Sequence, residues 1–359
     1  MPYTHFRYIA YEVPTASIRT ADNAVVCDYA AGDTYQAIAR LPVPADTPPD
    51  AKVRLQRLAG VVNFAANRLG TLADNANTLK IFMAPEFYFR PPAALGADYF
   101  SGTYPLADVN AIWKAFSNMF AHADFQHWIF IPGTMLWNTR VDPKRPHLYF
   151  NTLAHIRGGV ADGLNVIEKN QPSTIDGMPV VGVPARDSAY RVFHQTWRNR
   201  KKHVVDVSGV PVGFEICLDH LNSAYSRVLK NVLSDWRANE GGALPGLKLH
   251  ILCAAGMSIQ DKSVCPIVNG YILRNDGIAK AGARSELKEI TRYQSPDPLM
   301  ATLMDTNPAD LNGTATLGAA IAEEQAVDIP GGALRVPSKG AGYSEFTQRV
   351  LFYPSCALP

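Results

Sequence analysis

Apolar positions along this chain switch repeatedly between the period of a helix and that of a strand. From 51 to 76, Leu55, Leu58, Val62, Ala65, Leu69 and Leu72 recur at three- and four-residue steps, which predicts an amphipathic helix with Asp50 as its N-cap. The run "TLKIFMAPEFYF" follows and reads as an apolar strand covered on both faces. The alternation then repeats. Val109, Ile112, Phe116 and Met119 mark one face of a helix over 108–123, and 127–136 reads as a buried strand. Residues 148–159 and 164–171 predict two strands joined by a Gly-rich turn. "HVVDVSGVPVGFEICLDH" predicts a hairpin that turns at Ser208–Gly209 and whose second strand ends at Cys217. A helix is expected over 222–239, capped by Asn222 or Ser223, with Tyr225, Val228, Leu229, Val232 and Trp236 inward. "LKLHILCAAGMSI" reads as another buried strand, 6–12 as the first strand and "TQRVLFYP" as the last. The polar, Pro-rich segment near 18–50 predicts an extended loop, and 306–342 turns and loops. Helices and strands alternating with hairpins predict a layered α/β fold with a mixed sheet.

Composition narrows the class. The chain has 359 residues, 47% apolar and 18% charged, enough to bury a large core. Its net charge is +2 and the only basic cluster, 198–203, is short, so nucleic acid is not an expected partner. No stretch has the apolar length of a membrane helix, and the opening residues lack a signal peptide's pattern. Cys27, Cys217, Cys253, Cys265 and Cys356 are odd in number and have no CxxC spacing. Neither a zinc site nor a disulfide framework is expected, and a cytoplasmic setting fits best.

Two positions stand out chemically. Glu86 is a lone carboxylate at the end of the most apolar stretch, where an unpartnered charge is expensive. Cys217 sits where a strand runs into a helix, an elbow whose following backbone N–H groups can face an anion. "MAPEFYF" with Glu86, "YFNTLAHIRGGVADGLNVIEKNQ" with Lys169, and "GFEICLD" with Cys217 follow one another at intervals of 83 and 48 residues. In order, spacing and strand context they resemble the Glu, Lys and Cys motifs of the nitrilase (carbon–nitrogen hydrolase) superfamily, over roughly residues 6–260.

That resemblance implies a four-layer αββα sandwich, here a single domain over 1–359 with the loop near 18–50 and a C-terminal extension from about 270. It also implies a homodimer or larger homo-oligomer. The implied reaction is hydrolysis of an amide or N-carbamoyl C–N bond of a small molecule through a cysteine thioester, with no metal or organic cofactor. Glu86 would be the base, its pKa raised by desolvation. Lys169 and the N–H of Leu218 would hold the oxyanion. Lys201 and Lys202 compete for the lysine role within "RKKH". Glu215 shares a face with Cys217 by strand alternation and is either an additional acid or the partner of a cation. Asp187 is a second candidate for an additional acid. Asp219 is expected to anchor a turn by accepting backbone N–H bonds. Phe87, Tyr88, Phe89, Tyr99 and Phe100 either line a pocket or pack the core, and Glu215, Asp219 and His220 are further pocket candidates. His155, His194 and His203 are the possible partners in a Cys–His reading, which no local motif supports. Nitrile hydrolysis, acyl or amidino transfer, and an inactive binding protein of the same fold are the alternatives.

Overall fold

The computed structural model describes residues 3–20, 23–26, 37–72, 74, 77–91, 102–139, 148–171, 201–223, 226–240, 246–278, 284–295, 313–337 and 343–359. Two mixed sheets dominate it. The larger contains β1 (His5–Glu12), β4 (Thr78–Met83), β5 (Tyr104–Pro105), β6 (Trp128–Ile131), β7 (Thr134–Thr139), β8 (Leu148–Arg157), β9 (Leu164–Glu168), β16 (Gln325–Pro337) and β17 (Tyr343–Ala357). Its order is β16-β17-β1-β4-β6-β8-β7-β5, with β9 paired to β8. The smaller runs β10 (Val204–Asp206), β11 (Pro211–Ile216), β12 (Leu249–Ala254), β13 (Tyr271–Asp276), β14 (Ser285–Gln294), β15 (Thr314–Leu317), in that order. At the heart of each sheet three strands lie parallel: β1, β4 and β6 in one, β11, β12 and β13 in the other.

The near-continuous apolar strands have a simple cause. Successive side chains point to opposite faces, and both faces are covered. On β1, Ile9 and Tyr11 join α1 (Pro49–Leu69) and α2 (Leu106–Phe120) in one core, while Tyr8 and Ala10 join a second. Phe82 and Phe130 face the helices, and Ile81, Met83, Ile129 and Ile131 face the other way. That second core takes Val212, Phe214, Ile251 and Leu273 from the smaller sheet, so the two sheets share it. α3 (Val228–Glu240) packs Leu229 and Leu233 with Leu247 and Cys265 in a separate cluster.

Several expectations need correction. Asp50 is not the cap of α1. Pro48 holds that position, Pro49 opens the helix as proline readily does, and Asp50 pairs with Arg54 at 2.8 Å inside the first turn. The expected strand over 127–136 is two strands that both run antiparallel to β8, so the chain keeps its direction while the register shifts by one residue, and Gly133 at φ +88° supplies the irregularity between them. Ser223 caps the turn before α3 by accepting the N–H of Ser226, and the helix begins only at Val228. At the start of the expected loop, β2 (Ala16–Thr20) pairs with β3 (Asn23–Val26) as an antiparallel ribbon. Part of 306–342 forms β15 and β16. The hairpin turn lies as expected, with Ser208 and Gly209 both at positive φ. Tyr99, Phe100, Asp187, His194, Cys27 and Tyr225 lie outside the described residues.

Candidate functional site

Glu86 follows the carboxyl end of β4, in a turn that is fastened on several sides. Ala84 N–H bonds Ile131 O at 2.8 Å, Phe87 N–H bonds Thr134 Oγ1 at 2.9 Å, and Phe89 N–H bonds Thr134 O at 3.0 Å. Thr15 donates its hydroxyl to Glu86 O, and Glu86 N–H reaches Ala254 O at 3.3 Å. Arg54, fully buried on α1, donates to Tyr88 O at 2.9 Å. These bonds hold Phe87 at φ +63°, a left-handed conformation that costs a bulky residue about 1–3 kcal/mol.

The carboxylate has partners. Lys169 Nζ and Asn151 Nδ2 both donate to Glu86 Oε1, each at 2.9 Å, and Glu86 and Lys169 are 0% and 2% exposed. Lys169 follows β9, and its own N–H bonds Asn151 O at 2.8 Å. Asn151 therefore binds the acid with its side chain and the lysine with its backbone. Sequence reasoning assigned it no role, although the Asn-Thr pair on β8 was its trace. The other lysines lie elsewhere: Lys201 Nζ stands 4.1 Å over the Trp236 ring on α3, and Lys202 is exposed.

Cys217 comes directly after β11 and opens a single 3-10 turn, Cys217–His220. Its φ is +46°, so the strand turns sharply there and the thiol leaves the face the strand would have given it. Its Sγ lies 3.9 Å from Ala255 O, and it is 4% exposed. The Glu86 backbone and the Cys217 thiol thus rest on consecutive carbonyls, those of Ala254 and Ala255. Asp219 links the cysteine to the lysine. Its carboxyl accepts the N–H groups of Asn170 and Gln171 at 2.7–3.1 Å, which anchors the residues after Lys169 rather than its own turn. Burial pushes Asp219 well above the usual aspartate range, against the pull of Lys169 and those N–H groups. His203 adds a tie, bridging Phe214 O at 2.8 Å and the Asn170 side chain at 3.1 Å.

Phe87 borders this locale. It packs with Leu136, Ala255 and Ile278, and its ring lies 5.8 Å from Lys169 Nζ and 5.1 Å from Arg90 Cζ. Tyr88 and Phe89 point away, into the core under α1 and α2, and are packing residues. His155 stacks on Phe214, and burial, with His203 nearby, brings its pKa down to about 4. Cys253 is fully buried and its thiol pushed well up, by burial first and by Glu86 and Cys217 next.

Glu215, expected as either an additional acid or the partner of a cation, pairs among the described residues with two histidines. Its Oε2 meets His220 Nδ1 at 2.5 Å and His250 Nε2 at 3.0 Å, and its Oε1 accepts the N–H of Leu229, at the start of α3, at 2.8 Å. All three side chains are fully buried, and both ring nitrogens of His220 are engaged, by Glu215 and by the N–H of Gln260. Burial alone would raise the Glu215 pKa, but the two imidazoles hold it down at about 2. The donor atoms lie within 4.8 Å of one another, as a metal-ligand set would. Hydrogen bonding contradicts that use. Gln260 N–H donates to His220 Nε2 at 3.0 Å, so that nitrogen bears a lone pair and the ring proton sits on Nδ1, facing Glu215. A metal on Nδ1 would move the proton to Nε2, against the N–H of Gln260.

No family model and no curated protein matches the chain. Among solved structures it is similar to an amidase from Nesterenkonia sp., at 9% identity over 99% of this chain and 92% of that one, with a TM-score of 0.40. It is similar, at the same identity, coverage and score, to a single-substitution variant of the Nesterenkonia AN1 amidase described as from the nitrilase superfamily. A third is a double mutant of the amidase from Nesterenkonia sp. AN1 in complex with acrylamide, at 9% identity over 98% of this chain and 91% of that one, with a TM-score of 0.39.

Proposed function

We propose that this chain is a thiol-dependent carbon–nitrogen hydrolase of the nitrilase superfamily, a single domain built as an αββα sandwich, acting on the amide or N-carbamoyl group of a small molecule. One observation carries the reading. A buried Glu86–Lys169 ion pair at 2.9 Å and a cysteine at a left-handed strand-end turn meet around the last residues of one strand. Cys217 Sγ gives its proton to Glu86 and adds to the carbonyl carbon. Lys169 and the N–H of Leu218 hold the resulting oxyanion. On collapse the C–N bond breaks, and Glu86 returns the proton to the leaving nitrogen, leaving a thioester on Cys217. Glu86 then takes a proton from water, whose oxygen adds to the thioester carbonyl. The C–S bond breaks, the acid departs, and the thiolate recovers its proton from Glu86.

Asn151 fixes the orientation of the carboxylate throughout, and Asp219 keeps the Lys169 segment against the cysteine turn. Phe87 borders the substrate. The test is intact mass of the wild type and of Cys217→Ala after exposure to pooled amides, N-carbamoyl compounds and nitriles, with ammonia release followed in parallel. An acyl adduct on the wild type alone is the expected result. A wild type that forms no adduct and releases no ammonia from any pool refutes the proposal, and turnover of nitriles alone reverses the substrate class.

A further inference from the structure

The chemistry above leaves three fully buried ionisable side chains beneath the cysteine turn without a task. Their bonds are arranged around that turn. Glu215 lies two residues before Cys217 and His220 three residues after it, and the 2.5 Å contact between them closes a bridge across the elbow. Glu215 is itself fixed to β12 through His250 and to the first turn of α3 through Leu229 N–H. His220 is fixed on its far side by Gln260 N–H, in the segment that follows β12. That segment starts with Ala255, whose carbonyl faces the thiol. One arm of the elbow is thereby tied to the start of β12 and the other to the segment after it, the same strand whose last carbonyl, that of Ala254, receives the Glu86 N–H. A cysteine at φ +46° persists only where its surroundings over-determine the conformation, and these bonds do so.

We propose that Glu215, His220 and His250 are positioning residues for Cys217, a hydrogen-bonded bridge that holds the left-handed turn from which the thiol and the Leu218 N–H are presented. The proposal rests on Cys217 being the nucleophile. It assigns fixed tautomers, with the proton on Nδ1 of His220 and on Nε2 of His250. It also separates the two arms of His220. An asparagine amide can occupy the place of Nδ1 and still donate to Glu215, whereas a glutamine reaches only the place of Nε2 and the N–H of Gln260.

The experiment compares wild type, His220→Asn, His220→Gln and Glu215→Gln as full chains. The readout is the rate constant for alkylation of Cys217 by iodoacetamide, located by peptide mass, with Cys217→Ala as blank and urea unfolding measured alongside. Loss of a hydrogen bond to a charged partner predicts a fall of roughly 10- to 100-fold in His220→Gln and Glu215→Gln. His220→Asn should stay within about threefold of wild type. On any amide the wild type turns over, kcat should fall in the same order while KM holds. Variants that unfold earlier yet alkylate at the wild-type rate while folded overturn the proposal. So does a wild-type nitrogen-15 histidine spectrum with the His220 proton on Nε2, a measurement that needs no variant to fold. A wild type that forms no acyl adduct removes the hydrolase reading and this proposal together. An adduct with unaffected variants removes this proposal alone.

Discussion

Replacing Lys169 with methionine keeps most of the side-chain volume and deletes its charge, which leaves the Glu86 carboxylate buried without its ammonium. At 2.9 Å and an effective dielectric of about 20, the lost attraction is about 6 kcal/mol before desolvation is counted. Removing one partner of a buried pair typically costs about 3–5 kcal/mol, because the remaining charge is stranded. Lys169→Met should therefore lower unfolding free energy by about 3–5 kcal/mol. Glu86→Gln should cost less, since Asn151 Nδ2 can still donate to the amide oxygen. The double variant strands no charge and should regain at least half of the loss. A coupling of about 1.5 kcal/mol or more between the two substitutions is the diagnostic quantity. Urea unfolding with linear extrapolation measures all four corners of the cycle. A loss under about 1 kcal/mol in Lys169→Met, or additive effects, would refute the reasoning, since a solvated surface pair behaves that way.

Other perturbations follow from the same geometry. Cys217→Gly should be about 1 kcal/mol more stable than Cys217→Ala, because glycine adopts φ near +46° without the strain of a Cβ; paired urea melts decide it, and equal midpoints would mean the turn is unstrained. Gly277→Ala places a Cβ 1.9 Å from Thr15 Oγ1 and 3.1 Å from Glu86 O, so it should cost about 1–3 kcal/mol and lower turnover by displacing the Glu86 turn, read by melts and by alkylation of Cys217. His155, brought from 6.5 to about 4 by burial, is protonated first in the unfolded chain, so its contribution is complete above pH 6.5 and is lost as pH falls toward 4. That loss amounts to about 3 kcal/mol, and His155→Phe, which keeps the stack on Phe214, should flatten stability between pH 6.5 and 4. An unchanged slope in that variant would assign the acid loss to other groups.

The elements legible in the sequence are those whose signal is local. Leu55, Leu58 and Val62 announce α1 because one stripe of a helix is enough to bury it. The β10–β11 turn is visible because Ser208–Gly209 supplies the left-handed residues that the chain reversal uses. β17 beside β1 is a different matter, since residues 349–357 pair with 5–12 and no local pattern encodes so distant a register. The site divides in the same way. Glu86, Lys169 and Cys217 each end or follow a strand, and their motifs can be read one by one. The contacts that give Asn151, Asp219 and His250 their tasks exist only once β8 lies beside β9 and β11 beside β12.

Glu215 shows why alternation failed. In a continued strand it would share a face with Cys217. The left-handed residue at 217 breaks the alternation, so the thiol turns toward Ala255 while the carboxylate stays under the turn with its histidines. A residue type that is costly at the end of an apolar strand is thus retained at two places, Glu86 and Glu215, with opposite partners. Glu86 faces a cation, and Glu215 faces donors whose ring protons are fixed by the N–H of Gln260 and by the carboxylate itself. The first arrangement suits a group that must exchange a proton during a reaction. The second suits one that must never do so, which is what the bridge proposed beneath the cysteine turn requires of it.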